Sequence, residues 1–353
     1  MIKDKIRVLI IDDAMFMRKA IADILASDSS IEVVGTAKDG VDGLQKIQEL
    51  QPDVVTLDID MPRMDGLTAI RHIMIESPVP VVVLSSLFSD GTVTFEALRL
   101  GVVDFVPKPS GAVSVDIEQA RQQIIDRVKI ASGVNLFNIR RVKLEPGKIK
   151  LWETETGRSS ALPLEYLITI GTSLGGPNTV IRLLSRLVPT VPAAIVVVQE
   201  IAPRLLPDFV EKFNQHVAWK VQAAGDGVEL EQGCCYISSN RVGTSIVRPE
   251  AGQKAFLELS PPVDNPLNCI FNSAADTFGD KTIGLLLTGV GDDGAEGFEH
   301  IRQGGGITIA QDARCCVYPN LTDNAIEKGT VMQIVSENRL PQTLESLTGI
   351  VAI

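Results

Sequence analysis

The chain has 353 residues, of which 45% are hydrophobic, and this length predicts two domains with sizeable cores. Its formal net charge of -11 argues against nucleic-acid binding, because the one basic segment, 140–150, is better interpreted as a solvated linker. The five cysteines lack the spacing of a metal site. The chain begins on a strand without a signal peptide, and no apolar stretch approaches the roughly 20 residues of a membrane span. We therefore expect a cytoplasmic protein without membrane insertion.

Four apolar segments of strand length in the first 110 residues each end beside a reactive side chain. They are Val8–Ile11 before Asp12 and Asp13, Val54–Leu57 before Asp58, Val81–Leu84 before Ser85, and Asp104–Val106 before Pro107 and Lys108. Near-continuous apolar runs separated by helix-length segments predict parallel strands that are buried on both faces. Because ligands bind beyond the carboxyl ends of such strands, we expect these side chains to meet at one edge.

This set of side chains predicts phosphoryl chemistry. Three carboxylates repel one another, and a divalent cation such as Mg²⁺ relieves that repulsion through oxygen ligands. Asp58 is then a nucleophile for a phosphoryl group, with Lys108 and Ser85 positioned to bind phosphoryl oxygens. Taken singly, each residue has a commoner interpretation: Asp12 and Asp13 as helix caps, and Lys108 as a solvated turn residue. All of them together at strand ends are improbable by chance.

Residues 1–110 closely resemble the receiver domain of two-component response regulators. The resemblance rests on the residues above, on Phe105, and on the segment Met61-Pro62-Arg63-Met64-Asp65-Gly66. It implies a flavodoxin-like fold, phosphorylation at Asp58 by a sensor histidine kinase, and a switch formed by Ser85, Phe105 and Lys108. It also implies that Mg²⁺ binds to Asp12, Asp13, Asp58 and the backbone carbonyl of Asp60.

The rest of the chain repeats the α/β pattern after a break. A helix is predicted over Val115–Ala131, so the first domain should span 1–132, followed by a partly ordered linker over 133–164 and a second domain over 165–353. The strands predicted in that domain are Tyr166–Ile170, Ala193–Val198, Thr282–Leu287 and Gly306–Ala310, with shorter ones around Tyr236 and Phe256–Leu259. The predicted helices are Pro177–Leu187, Leu205–Phe213, Cys269–Phe278 and Gly294–Gln303. This alternation predicts a second doubly wound parallel sheet.

Two glycine-rich loops follow strands of the second domain. In the first, Gly171-Thr172-Ser173-Leu174-Gly175-Gly176-Pro177, a serine on the turn into a helix can act as a nucleophile. It can equally bond to its own turn or belong to an anion-binding loop. The second loop, Thr288-Gly289-Val290-Gly291-Asp292-Asp293-Gly294, places carboxylates at the same edge. Either loop alone is weak evidence for catalysis.

Together these loops resemble the catalytic domain of the chemotaxis protein-glutamate methylesterase, an α/β hydrolase-like domain that follows a receiver. The resemblance places Ser173 on the nucleophile and Asp293 on the acid of the triad. The position of the catalytic histidine, within Val198-Gln199-Glu200-Ile201-Ala202-Pro203, is occupied by Glu200. Further departures are Leu174, Ser239-Asn240-Arg241 and Leu321-Thr322. The three histidines, His72, His216 and His300, are not obvious substitutes.

The absence of the histidine leaves three hypotheses. A triad imidazole takes the serine proton and returns it, whereas a glutamate, with an ordinary pKa near 4.3, is a weaker base unless burial raises it. We favour a phosphorylation-controlled regulator that hydrolyses poorly and binds methyl-accepting chemoreceptors or a related signalling protein. The second hypothesis is an active methylesterase and glutaminase in which Glu200 replaces histidine. An anion or nucleotide site is weaker, because no Gly-Lys-Ser/Thr sequence is present. No cofactor is expected in the second domain.

Overall fold

The structure is a computed structural model that describes residues 5–85, 91–108, 115–139, 163–249 and 254–349. The chain separates into two compact units, Met1–Arg141 and Val142–Ile353. Most of the expected linker 133–164, including the basic segment 140–150, lies outside the described residues. The boundaries 1–132, 133–164 and 165–353 therefore stay predictions. Each unit is described by itself below.

The first unit is built on a five-stranded parallel sheet. Its strands are β1 (Ile6–Ile11), β2 (Ile31–Ala37), β3 (Val54–Leu57), β4 (Val81–Ser85) and β5 (Asp104–Pro107). Their order is β2-β1-β3-β4-β5, with β1 and β3 at the centre. The sequence predicted four of these strands, and the structure confirms them. Strand β3 is buried throughout, as expected of a parallel sheet with helices on both faces.

Five helices cover the faces of this sheet. They are α1 (Met15–Ala26), α2 (Gly40–Leu50), α3 (Gly66–Glu76), α4 (Gly91–Leu100) and α5 (Val115–Ser132), and a 3₁₀ turn follows at Leu136–Asn138. Aspartates at the N-caps start two of them: Asp39 accepts from the N–H of Asp42 on α2, and Asp65 accepts from the N–H of Thr68 on α3. These caps determine where the chain turns back from β2 and from β3.

The second unit contains a seven-stranded sheet and a separate strand pair. The strands are β6 (Tyr166–Thr172), β7 (Ala193–Gln199), β8 (Lys220–Ala223), β9 (Cys234–Ser239), β10 (Gly243–Val247), β11 (Phe256–Ser260), β12 (Thr282–Leu286), β13 (Ile307–Gln311) and β14 (Gln333–Val335). The large sheet is parallel and has the order β14-β13-β12-β6-β7-β9-β8. Strands β10 and β11 form the antiparallel pair.

In the described part of the second unit, six helices accompany these strands. They are α6 (Gly176–Leu184), α7 (Leu206–Asn214), α8 (Pro266–Phe278), α9 (Ala295–Gln303), α10 (Asn320–Glu327) and α11 (Leu340–Leu347). The predicted strands and helices are present, with ends shifted by up to three residues. The elements not predicted individually are β8, β10, β14, α10 and α11. They are short, and β8 buries one residue out of four, so it carries no apolar run in the sequence.

The predicted fold class, two doubly wound parallel-sheet α/β domains, is confirmed. The strand order of the first sheet is that of flavodoxin-like folds, in which the site lies where the strand order reverses, between β1 and β3. Among the described helices, none combines the length and the apolar character needed to cross a membrane.

One ion pair joins the start of β2 to the last helix of the first unit. Asp28 lies between α1 and β2, and the ammonium of Lys129 on α5 bonds to its carboxylate. This hydrogen bond from Lys129, with further bonds from Ser30, lowers the pKa of Asp28 from 3.8 to about 2. The pair lies at the amino edge of the sheet, away from the ends of β1 and β3.

Replacing Asp28 with Asn should lower the free energy of unfolding of the first unit by roughly 0.5 to 1 kcal/mol at neutral pH, as is typical of partly exposed pairs. Because the folded pKa is depressed, the contribution is present above 3.8 and is lost as the pH falls through about 2. Urea unfolding of the wild type and the variant, monitored by hydrogen exchange of the β1 amides, gives the difference in their free energies of unfolding. This difference should shrink as the pH is lowered below 3.8. A difference that does not change with pH would contradict this account.

Candidate functional site

The carboxyl ends of β1 and β3 bring three carboxylates together. Oxygens of Asp12, Asp13 and Asp58 lie within 4.8 Å of one another, as the sequence predicted. Asp12 and Asp58 are buried, whereas Asp13 is exposed. Backbone bonds hold the two strand ends in register, since the N–H of Asp58 donates to the carbonyl of Ile11 at 2.9 Å. The cluster is therefore part of the rigid sheet edge.

Lys108 is the cation of this cluster. Its Nζ lies 2.7 Å from Oδ2 of Asp12 and 2.7 Å from Oδ2 of Asp58. Burial by itself would lower the pKa of Lys108, but the hydrogen bonds to both carboxylates outweigh it and the pKa is raised. The ammonium is thus held charged between the two buried acids, where it offsets part of their repulsion.

Burial and hydrogen bonding both act on the ionisation of Asp58. Burial raises its pKa, although the hydrogen bond from Lys108 acts in the opposite direction. Its Oδ1 accepts a 2.8 Å hydrogen bond from the N–H of Ile59, and its Oδ2 is paired with Lys108. Each oxygen of the Asp58 carboxylate thus has a partner that orients it.

The donor set of the cluster fits a hard divalent cation. Three carboxylates against one ammonium leave excess negative charge, and oxygen-only ligands are those that Mg²⁺ prefers. Asp60 is exposed and lies three residues beyond the end of β3, so its backbone carbonyl is on the loop that leaves the cluster.

The other two residues of the predicted switch lie along β4 and β5. Ser85 is the last residue of β4, is buried, and its carbonyl accepts from the N–H of Lys108 at 3.1 Å. Phe105 pairs with Val83 inside the sheet and is half-buried against the core. The structure therefore brings Ser85 to the edge with the cluster, while Phe105 lies further down its strand.

The second site lies at the turn from β6 into α6. Ser173 follows β6, and its Oγ accepts a 2.7 Å hydrogen bond from the N–H of Val290 and donates to the carbonyl of Val290 at 3.2 Å. Gly175 has φ +74, and a side chain there would collide with Val317, which explains a glycine at this position. Both bonds from the serine hydroxyl thus go to the backbone of one residue.

The peptide group between Gly289 and Val290, the first of the 289–291 turn, is held by a hydrogen bond from α10. The N–H of Leu321 donates to the carbonyl of Gly289 at 3.0 Å. Because a trans peptide directs its C=O and N–H in opposite directions, this bond turns the N–H of Val290 towards Ser173.

The next peptide group, between Val290 and Gly291, is held by a hydrogen bond to the same helix. The N–H of Gly291 donates to Oδ1 of Asn320 at 2.8 Å, so the carbonyl of Val290 faces the other way, towards the serine. Nδ2 of Asn324 donates to the carbonyl of Gly291 at 2.6 Å. Sequence reasoning missed both asparagines, because they bind backbone and carry no catalytic signature.

Glu200 follows the strand next to β6. Gln199, the last residue of β7, pairs with Thr172, so Glu200 and Ser173 leave adjacent strands. Nε2 of Gln199 donates to the carbonyl of Ser173 at 3.1 Å and to that of Glu200 at 3.4 Å. The two backbone segments are thereby tied to one buried amide, and Glu200 is half-buried at this edge.

Asp293 binds the amino end of α8. Its carboxylate accepts hydrogen bonds from the N–H of Leu267 at 2.6 Å and from the N–H of Asn268 at 3.0 Å. Burial raises the pKa of Asp293, although these backbone bonds act in the opposite direction. The predicted acid therefore has a structural partner of its own, a helix start that favours negative charge.

The histidines lie elsewhere. His72 is on α3 and bonds to Glu76 at 2.7 Å, and His300 is on α9 and bonds to Asp276 at 2.7 Å. His216 follows the carboxyl end of α7, which returns the chain to the amino edge of the sheet before β8. None of the three histidines therefore lies directly after β6 or β7, the strands that Ser173 and Glu200 follow.

Comparisons with known proteins agree with this arrangement of two sites on two sheets. A family model described as CheB methylesterase matches residues 168–344, and one described as response regulator receiver domain matches residues 8–116. The chain belongs to the CheB methylesterase family. It is a chemotaxis response regulator in which a receiver precedes the methylesterase domain, as its sequence predicted.

Relatives of similar length cover both domains of this family member. The protein-glutamate methylesterase/protein-glutamine glutaminase of Pyrococcus abyssi is 34% identical over 349 residues, which is 96% of this chain and 93% of the relative. The protein of the same name from Caldanaerobacter subterraneus subsp. tengcongensis is 37% identical over 343 residues, 93% and 92% of the two chains. The crystal structure of the Thermotoga maritima CheB methylesterase catalytic domain is 29% identical, with a TM-score of 0.49, and covers 52% of this chain and 98% of that one.

Replacing Gly289 with Ala should displace Ser173 in this methylesterase domain. An added Cβ would lie 2.7 Å from Oγ and 2.9 Å from N of Ser173, so the turn must move, at a cost of roughly 1–3 kcal/mol. Urea unfolding followed by tryptophan fluorescence measures the loss. Gly304→Ala is the matched control, because the nearest atom to its Cβ is 3.5 Å away; equal stability of the two variants would refute the close contact.

Proposed function

We propose that this chain is a phosphorylation-controlled chemotaxis regulator whose methylesterase domain hydrolyses receptor esters poorly. The observation that carries the proposal is the pair of hydrogen bonds between the Ser173 hydroxyl and the backbone of Val290. The sequence resemblance supports it, since Glu200 occupies the position of the catalytic histidine. The proposed phosphodonor is a sensor histidine kinase, and the proposed partners are methyl-accepting chemoreceptors or a related signalling protein.

In the receiver, the proposed role of Asp58 is to take the phosphoryl group. A carboxylate oxygen attacks phosphorus, the bond from phosphorus to the donor breaks, and an acyl phosphate forms. Lys108 is close enough to Asp58 to pair with the transferred group, and Ser85 ends the adjacent strand. Mg²⁺ held by Asp12, Asp13 and Asp58 with the carbonyl of Asp60 would offset charge that develops on the phosphoryl oxygens.

Incubation of the full chain with a small phosphodonor and Mg²⁺ should label Asp58. Asp58→Asn should remove the label, because an amide is a weaker nucleophile than a carboxylate. No second buried carboxylate lies at the end of β3 to take its place. Borohydride reduces the acyl phosphate, with release of phosphate, to the alcohol side chain of homoserine, and this acid-stable product at position 58 of the wild type gives the readout. Asp53→Asn is the matched control, and equal labelling of Asp58→Asn would reject the assignment.

In the methylesterase domain, the difficulty is the serine proton. A hydrolase needs a base that takes this proton and later donates it to the leaving group, with a pKa near the working pH. Here the Ser173 hydroxyl donates to a peptide carbonyl, which cannot accept a proton at neutral pH. The Asp293 carboxylate is bound by α8 amides. Loss of the triad histidine costs roughly a millionfold in turnover in a serine protease.

A second candidate is an active enzyme in which Glu200 is the base. It is favoured by the position of Glu200 at the end of the strand adjacent to β6, half-buried, and by relatives named protein-glutamate methylesterase/protein-glutamine glutaminase. This candidate requires the serine hydroxyl to rotate away from Val290 before it can reach a carboxylate.

Methanol release from methylated receptor distinguishes the two candidates. We expect wild-type release close to that of Ser173→Ala, and partial activity in Glu200→His that disappears in Glu200→His/Ser173→Ala. The imidazole supplies the missing base, whereas Leu174 and the other changed positions prevent full recovery. Substantial wild-type release that Glu200→Gln removes would instead establish the Ser-Glu enzyme and overturn the proposed impairment.

A further inference from the structure

The loop between β3 and α3, residues 59–65, controls the orientation of the phosphoacceptor carboxylate. The N–H of Ile59 donates to Oδ1 of Asp58 at 2.8 Å, and the carbonyl of Ile59 accepts from the N–H of Gly66 at 2.8 Å. A side chain on Gly66 would lie 2.4 Å from the Asp58 carbonyl, so α3 begins in direct contact with the cluster. A shift of this loop therefore shifts Asp58.

An ion pair fastens the middle of this loop to the start of α2. Asp39 is 2% exposed, and its Oδ2 is bound by the guanidinium of Arg63. Its Oδ1 accepts from the N–H of Asp42 at 3.0 Å, which caps α2. Burial would raise the pKa of Asp39, but the Asp42 amide and Arg63 outweigh it and lower the pKa. Each oxygen of one buried carboxylate thus has a separate partner.

The backbone at Arg63 shows that the loop is held against its local preference. Arg63 has φ +65, in the left-handed region that residues with a side chain seldom adopt. Such strain persists where surrounding contacts impose it. A second tie lies beside the ion pair: the N–H of Gly40 donates to the carbonyl of Met64 at 3.4 Å. A side chain on Gly40 would lie 2.7 Å from Cγ of Met64, so glycine permits this approach.

We propose that Asp39 and Arg63 are a positioning pair that holds the 59–65 loop against α2 and thereby sets the affinity of the Asp12, Asp13 and Asp58 cluster for Mg²⁺. The inference rests on the proposed function, in which the backbone carbonyl of Asp60 completes the cation site. Residues that orient metal ligands without touching the metal change affinity when they are replaced.

The competing explanation is that the pair only stabilises the start of α2. Asp39→Asn separates the two, because an asparagine oxygen can still accept from the N–H of Asp42 and cap the helix, whereas the ion pair with Arg63 is lost. Arg63→Gly removes the pair from the other side and also removes the backbone strain at that position.

Calorimetric titration of the full chain with Mg²⁺, without a phosphodonor, tests the proposal. We expect Asp39→Asn and Arg63→Gly each to raise the dissociation constant about tenfold, the lower end of the range for residues that orient ligands. Arg63→Lys keeps the charge without the bidentate geometry of a guanidinium, so its dissociation constant for Mg²⁺ should lie between those of these variants and the wild type. Hydrogen exchange at the amides of Ile59 and Gly66 should accelerate in the same order.

Asp28→Asn is the matched control, since it also removes an aspartate ion pair but at the amino edge of the sheet. Its dissociation constant for Mg²⁺ should equal that of the wild type. Wild-type affinity in Asp39→Asn and Arg63→Gly, even with lowered melting temperatures, would overturn the positioning role and leave the proposed function intact. A wild type that binds no Mg²⁺ would overturn the proposed cation site itself, and this inference with it. If Asp39→Asn fails to fold, the dissociation constants of the wild type, Arg63→Lys and Arg63→Gly still distinguish a positioning role from a purely stabilising one.

Discussion

The parallel arrangement of strands is the constraint on which both sites depend. Every strand of a parallel sheet ends at the same edge, so a helix must carry the chain back before the next strand can begin. Residues far apart in sequence are therefore delivered to neighbouring positions. In the first unit this constraint brings Asp12 to within bonding distance of Lys108, 96 residues later. In the second it brings Ser173 against Val290.

The two edges use this proximity in opposite ways. The first collects like charges that the fold only partly neutralises, with one ammonium between two buried carboxylates. A cation that binds to such an edge would stabilise the folded domain, because it offsets the remaining negative charge. At the second edge two of the predicted catalytic side chains are bound within the domain: the Ser173 hydroxyl bonds to a peptide and the Asp293 carboxylate bonds to a helix start.

Backbone groups and one amide side chain shape the Ser173 turn. The hydrogen bonds that shape the Ser173 turn come from backbone groups of the 289–291 turn and from Gln199, and none of them requires a histidine. Glu200 can therefore occupy the position after β7 without loss of the turn. The contacts that keep the fold and the group that would move a proton are separate, so one can be exchanged while the other persists.

The sequence by itself determined the two-domain α/β architecture, four of the five strands of the first sheet and the meeting of Asp12, Asp13, Asp58 and Lys108. It could do so because buried parallel strands leave apolar runs, and a reactive residue directly after such a run has its position determined by the strand. Only the tertiary structure decided what Ser173, Asp39 and Arg63 contact. Those contacts involve backbone amides and a left-handed loop residue, and neither leaves a pattern in residue type. A peptide group is the same in every sequence, so its partners become visible only when the chain is folded.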